Sequence, residues 1–216
     1  MVSHIGESLI LALGAAVSPI PLTVSILLLS QPDRGRAKAF AFAAGQVVSL
    51  AIIAVAAALL LHKTLGTHHH ASGDAVIDIV LGAVLLVAAA HTFLTKAKPK
   101  KPKPAEQKPR SLGREFAFGF GLMAVNLETL ALVVAAVKEL SAGDVGLVPE
   151  ALTLAAIVLI TTSTATVPPL ITVIFPALSD RVLKWLSEET KRHGRTISGG
   201  FLVVFGAYLI YKGLAS

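Results

Sequence analysis

The stretch AFAFAAGQVVSLAIIAVAAALLL, Ala39–Leu61, contains no charged residue, and its length decides the fold. A helix rises ~1.5 Å per residue and the hydrocarbon core of a bilayer is ~30 Å thick, so about 20 apolar residues cross it. Working outward, five further runs of the same character lie at approximately Leu9–Leu29, Ala75–Leu94, Phe116–Val137, Leu152–Phe175 and Ile197–Tyr211. The 216-residue chain is 54% hydrophobic and only 15% charged, which is not the balance of a soluble domain. The expectation is an all-α, polytopic membrane protein with six transmembrane helices. The first run has no Lys or Arg before it and is longer than the ~7–15 residues of a signal-peptide core, so it reads as a permanent helix.

Charge placement sets the expected orientation. Of the 19 Lys and Arg, sixteen fall in alternate connections, around Arg34–Lys38, Lys96–Arg114 and Arg181–Arg195; the opposite side holds Lys63, Lys138 and Lys212. By the positive-inside rule the basic connections are cytoplasmic and both termini lie outside. The net charge of +6 is accounted for in this way and calls for no nucleic acid. The Pro-rich, Lys-rich segment from Lys96 to Arg114 reads as a solvated topological anchor, with a cytoplasmic partner or anionic lipid as the alternative.

Three spans on each side of that segment divide the chain into residues 1–95, a linker at 96–115, and residues 116–216. Val17-Ser18-Pro19-Ile20-Pro21-Leu22-Thr23 in the first span aligns with Ala124-Val125-Asn126-Leu127-Glu128-Thr129-Leu130 in the fourth, and Gly82, Leu85 and Ala90 align with Gly199, Leu202 and Ala207. With three spans per half, the second half enters from the opposite side, so the expectation is two inverted three-helix repeats. Pro19 and Pro21 remove backbone donors and should break the first span near mid-membrane, making Ser18, Pro19 and Pro21 a candidate cavity wall; a packing kink relieved by Ser18 and Thr23 is the plainer reading. Glu128 is the sharpest candidate. About a dozen residues into its span, it is close to the bilayer midplane, where a carboxyl group faces a cavity, finds a partner or carries a proton. Asn126 and Thr129 flank it and add hydrogen-bonding groups.

The fifth span holds Thr161-Thr162-Ser163-Thr164-Ala165-Thr166-Val167-Pro168-Pro169, in which Thr162 and Thr166 are candidates to line a polar path; hydroxyls that satisfy their own helix are the commoner use. Gln46 and His91 are weaker polar candidates. Gly45, Gly82, Gly119, Gly121, Gly199 and Gly200 read as helix-packing positions, compatible with a homodimer without requiring one. Asp74 and Asp78 begin the third span, where negative charge suits the helix dipole. Beside them, His68-His69-His70 could bind metal only with a bent backbone, so no metal site is expected there. The chain has no cysteine, which excludes disulfides, thiolate metal sites and thiol redox chemistry, and with them a membrane electron carrier of this layout. No nucleotide-binding loop, zinc-protease helix or nucleophile elbow occurs, so neither an enzyme nor a cofactor is expected.

The Ala-Val-Ser-Pro-Ile-Pro-Leu segment at 16–22, the basic Pro-rich linker, Gly119-Phe120-Gly121-Leu122-Met123-Ala124-Val125-Asn126 and Lys184-Trp185-Leu186 together resemble the actinobacterial GAP family, the glycopeptidolipid- or sulfolipid-addressing proteins, within the lysine-exporter superfamily. The resemblance covers nearly the whole chain. It implies a multi-pass protein of the bacterial inner (plasma) membrane that moves a cell-envelope glycolipid or its precursor across that membrane in a mycobacterium-like organism. In that family the fourth-span Asn is commonly followed by Pro, Lys and Asn, whereas Leu127, Glu128 and Thr129 follow Asn126 here. A second broken helix that is less broken, for want of that proline, is therefore expected, with an acidic group where the family has a basic one. The leading expectation is an exporter working by alternating access, with Glu128 carrying a proton or holding a headgroup. The alternatives are an exporter of amino acids, cations or other small solutes, and a non-transporting scaffold for lipid export.

Overall fold

The computed structural model describes residues 2–65, 71–94, 111–143 and 145–215. These form nine helices and no strand: α1 (Val2–Ala16), α2 (Pro19–Leu29), α3 (Gly35–Leu65), α4 (Ala71–Leu94), α5 (Leu112–Ala124), α6 (Leu127–Ala142), α7 (Leu147–Thr161), α8 (Ser163–Ile174) and α9 (Pro176–Ala215). His68–His70 and linker residues 96–110 lie outside the described residues. Arg114, at the end of the linker, is exposed in the first turn of α5.

Three single helices contain stretches long and apolar enough to cross a membrane: Gly35–Leu61, Ala75–Leu94 and Arg192–Ala215. The other three apolar runs each fold as two helices joined at a break, α1–α2 bent by 53°, α5–α6 by 67° and α7–α8 by 72°. The spans thus number three, or up to six if each bent pair is one span. The stretch before Ile197, read from the sequence as a basic connection, is instead the first half of the 40-residue helix α9. Its charged residues are good helix formers, and nothing between Pro176 and Ile197 interrupts the helix.

α6 is the central element. Between Ala131 and Leu140 every residue except Val134 is buried, as expected for a helix enclosed on all sides. Around it, Leu11 and Ala12 of α1, Leu50 and Ala54 of α3, Leu85 of α4, Ile157 of α7 and Leu209 of α9 complete the main core. Outward-facing Leu13, Leu27, Ile52, Leu59, Val87, Leu159 and Val204 are exposed, as lipid-facing side chains are.

Small residues let the helices approach. A Cβ on Gly45 would collide with the backbone oxygen of Phe116, and one on Gly119 with that of Phe42, so α3 and α5 touch backbone to backbone at two glycines. Gly82 and Gly206 do the same between α4 and α9, and Gly199 receives the Phe93 ring, whereas Gly121 and Gly200 have nothing within 4 Å and take no part in packing. Asp78 corrects a sequence expectation. It is not a helix-start residue in solvent but lies two turns into α4, buried, with Oδ2 2.7 Å from Lys138 Nζ of α6.

Candidate functional site: a cavity between two helix breaks

The first break follows from its prolines. Pro19 and Pro21 supply no N–H, so the helix of α1 cannot continue through them, while proline suits the first turn of a new helix. Ser18 is extended (φ −119°, ψ 117°) and α2 restarts at Pro19, with Thr23 Oγ1 donating to the Pro19 carbonyl at 2.7 Å. At the second break, Asn126 leaves the helical region (φ −81°, ψ 80°) and caps α6, its Oδ1 accepting from the Thr129 amide at 3.4 Å. This corrects the expectation of a milder break. The α5–α6 bend exceeds the α1–α2 bend without a proline, because an Asn cap starts a new helix as effectively as proline does.

The breaks face a common space. A cavity of about 450 Å³, within the range of small-molecule sites, opens between Ser18, Pro19 and Thr23 on one side and Glu128 on the other. Thr92 of α4 and Thr190, Arg195 and Ser198 of α9 complete its polar wall. A second chamber of about 210 Å³ shares Ser18, Pro19 and Thr190 with it and has a mostly apolar surface, lined by Val17, Leu22, Leu186 and Ile197, with Thr164 and Glu189 as further polar groups. A small void of about 10 Å³ brings Glu128 and Thr129 against Ser18 from the core side.

Four of the eight sequence candidates, Ser18, Pro19, Glu128 and Thr129, therefore converge. The other four support the breaks rather than line these spaces. Pro21 is buried in the first turn of α2, and Asn126 is occupied as a cap. Thr162 Oγ1 donates to the Val158 carbonyl at 2.8 Å and Thr166 Oγ1 to that of Thr162 at 3.2 Å, so both hydroxyls serve their own helices. Pro168 and Pro169 sit inside α8 rather than at its break. The Ala165 carbonyl, which Pro169 cannot serve, instead accepts from buried Ser25 Oγ of α2 at 3.1 Å.

Arg195 was counted from the sequence only as an orienting charge. Its Nε donates to the Thr92 carbonyl at 2.5 Å and its Nη2 to that of Phe93 at 3.3 Å, closing the C-terminal end of α4, whose last carbonyls have no partner in their own helix. Thr190, Gly194 and Ser198 recur every four residues on one face of α9, a helical period running out of a polar stretch into an apolar run; that period is the signal that could have found them. His91, one residue before Thr92, is exposed.

The arrangement offers hydroxyls, one carboxyl group and one guanidinium around a polar space, next to a slot for hydrocarbon. No curated protein and no solved structure matches the chain. The family described as Sap, sulfolipid-1-addressing protein, matches residues 9–215, so the chain belongs to that family, the glycolipid-addressing proteins that its Ser-Pro-x-Pro and Ala-Val-Asn segments resemble.

Proposed function

We propose that the protein is an inner-membrane exporter of an amphipathic cell-envelope glycolipid or its precursor, working by alternating access of two inverted three-helix halves. The observation that carries this reading is the two-chambered cavity where the α1–α2 and α5–α6 breaks meet. Hydroxyls and charge on one side suit a polyhydroxylated headgroup, and the adjoining apolar chamber suits the start of an acyl chain. Broken helices facing a central site are the usual carrier arrangement, because non-helical backbone at membrane depth is tolerated where it lines a cavity. Glu128 is the group that carries a coupling proton or holds the headgroup.

The packing pattern supports an inverted repeat. If α1–α2 corresponds to α5–α6, α3 to α7–α8, and α4 to α9, three pairs of contacts correspond, although the extensive α1–α6 contact has no equal between α2 and α5. α3 packs on α5 as α7 packs on α1, α8 on α2 as α3 on α6, and α6 on α4 as α2 on α9. The α4–α9 contact is its own counterpart, placed where the two halves meet.

The test is lipid profiling of inner and outer envelope fractions from a deletion strain complemented with wild-type or Glu128→Gln protein. Removing a charged hydrogen-bond partner costs about 1.5–3 kcal/mol, roughly ten- to hundredfold in apparent affinity. The expected outcome is inner-membrane accumulation of one glycolipid that wild type relieves and Glu128→Gln, folded and at equal abundance, does not. Unchanged lipids with an altered pool of amino acids or cations would replace this reading by small-solute export.

A further inference from the structure

The two prolines of the first break leave a pair of backbone oxygens without their usual donors. In a continuous helix the Ala15 carbonyl would accept from the amide of residue 19 and the Val17 carbonyl from that of residue 21, but both positions are proline and carry no N–H. No other hydrogen bond to either oxygen is made among the described residues; the Val17 and Ser18 amides bond to the Gly14 and Ala16 carbonyls instead. Ala15 and Val17 both line the void of about 10 Å³ on the core side of Glu128.

The same void is bordered by Glu128 and by three hydroxyl side chains, those of Ser18, Thr129 and Ser198. Thr129 and Ser198 are buried, and none of the four side chains makes a hydrogen bond or ion pair with another described residue. Buried polar groups ordinarily find partners, so four together without one point to a bound species that supplies them. The volume admits one particle the size of a water molecule. A carboxylate and two carbonyls only accept, and the C-terminal end of α1 adds the negative end of its dipole. No Lys or Arg borders the void; Arg195 lies on the cavity side, where it holds the Thr92 and Phe93 carbonyls. Such a set of acceptors suits a cation better than a water molecule, which has two hydrogens to give and leaves a carboxylate near mid-membrane without a counter-charge. A multivalent metal does not fit, because no group of three or more His, Asp or Glu among the described residues is placed to hold one, and one carboxylate balances one positive charge.

We propose that this void is a sodium site, in which a dehydrated Na⁺ is held by the Glu128 carboxylate, the hydroxyls of Ser18, Thr129 and Ser198, and the carbonyls that Pro19 and Pro21 leave without donors. Interrupted membrane helices supply ligands of this kind, since unwound carbonyls and the C-terminal ends of half-helices coordinate sodium. A water-sized space suits Na⁺ stripped of its hydration shell and is tight for the larger K⁺. The role of the ion rests on the exporter reading above. Glu128 borders the void on one side and the cavity on the other, so it meets the ion from the core side and the headgroup from the cavity side, and sodium takes the coupling role in place of a proton.

The test is equilibrium binding of radioactive sodium to the purified full-length protein in detergent, at constant ionic strength in choline chloride and without any transported lipid. The expected result is saturable binding of one ion per chain, displaced by unlabelled sodium and not by potassium. Binding is lost in Glu128→Gln and about tenfold weaker in Thr129→Ala and Ser198→Ala, each of which removes one ligand to a charge. The two hydroxyl variants keep the test decisive if Glu128→Gln does not fold, as judged by gel filtration. Glu115→Gln, which removes a buried carboxyl group whose oxygens also lack partners among the described residues, leaves binding unchanged. Absence of saturable binding in the folded wild type, displacement by potassium as readily as by sodium, or binding unchanged in Glu128→Gln or in both hydroxyl variants overturns the proposal. Lipid export by a protein that binds no sodium would reject the ion site and leave the exporter reading standing. Sodium binding that depends on Glu128, in a protein that moves no lipid in the envelope assay, would do the reverse.

Discussion

Arg195 shows what one side chain does at two levels. Its guanidinium fork holds the Thr92 and Phe93 carbonyls, and the same side chain borders the cavity opposite Glu128. Arg195→Ala should cost about 1.5–3 kcal/mol through the lost charged hydrogen bonds, read as earlier thermal unfolding in detergent, and should also impair export. Arg195→Lys should recover only part of the stability, since an ammonium cannot reproduce the planar fork. Equal stability of all three proteins would remove its role in closing α4. Glu128 and Arg195 were unequally visible in the sequence for a physical reason. An acidic residue inside an apolar run stands out because lipid penalises it, whereas Arg195 sits in a polar stretch that reads as a connection. Only the continuation of α9 through that stretch brings its side chain to the α4 terminus. Asp78 was misread similarly, because a helix-start carboxylate looks complete in sequence while its partner Lys138 lies sixty residues away.

At the level of elements, the glycine contact between α3 and α5 is the tightest constraint. Gly45 and Gly119 each meet backbone, which cannot swing aside, so Gly119→Leu should separate the helices. Overpacking costs typically ~1–3 kcal/mol, and the rigid neighbour puts this site at the upper end. Gly121→Ala, two residues away in open space, should be close to neutral or slightly stabilising, since Ala is the better helix former. Thermal unfolding of the pair checks this directly; similar losses at both positions would mean that α5 is not packed by its glycines. The breaks have a comparable logic with different visibility. Pro19 and Pro21 announce theirs, because the missing N–H is written in the residue type. The α7–α8 break at Thr162 precedes Pro168 by six residues, and no residue at the break demands it. Beyond it α8 packs on α2 and α3, contacts that local sequence does not carry.

For the whole molecule, alternating access depends on which ends of the bent pairs lie on which side of the membrane. α5 and α6 are 13 and 16 residues long, about 20 and 24 Å, so neither alone crosses ~30 Å of hydrocarbon. Together they either span the membrane or enter and return on the same side. The positive-inside rule favours spanning, with Gly113 cytoplasmic and Leu147 outside. The absence of cysteine makes the test clean, since each introduced thiol is the only one present. Exposed Arg36, Gly113 and Arg181, each changed to Cys, should react with a membrane-impermeant maleimide only after the cells are opened, while Leu147→Cys and Leu214→Cys should react on intact cells. If all five reverse, the orientation is inverted and so is the side from which the cavity loads. If Gly113 and Leu147 label from the same side, the α5–α6 pair is re-entrant, the halves are no longer antiparallel, and alternating access by inverted repeats loses its geometric basis. The expected alternation would place the two helix breaks in antiparallel spans with their new N-termini converging on one cavity, the arrangement in which rocking one half against the other exposes the same site to each side in turn.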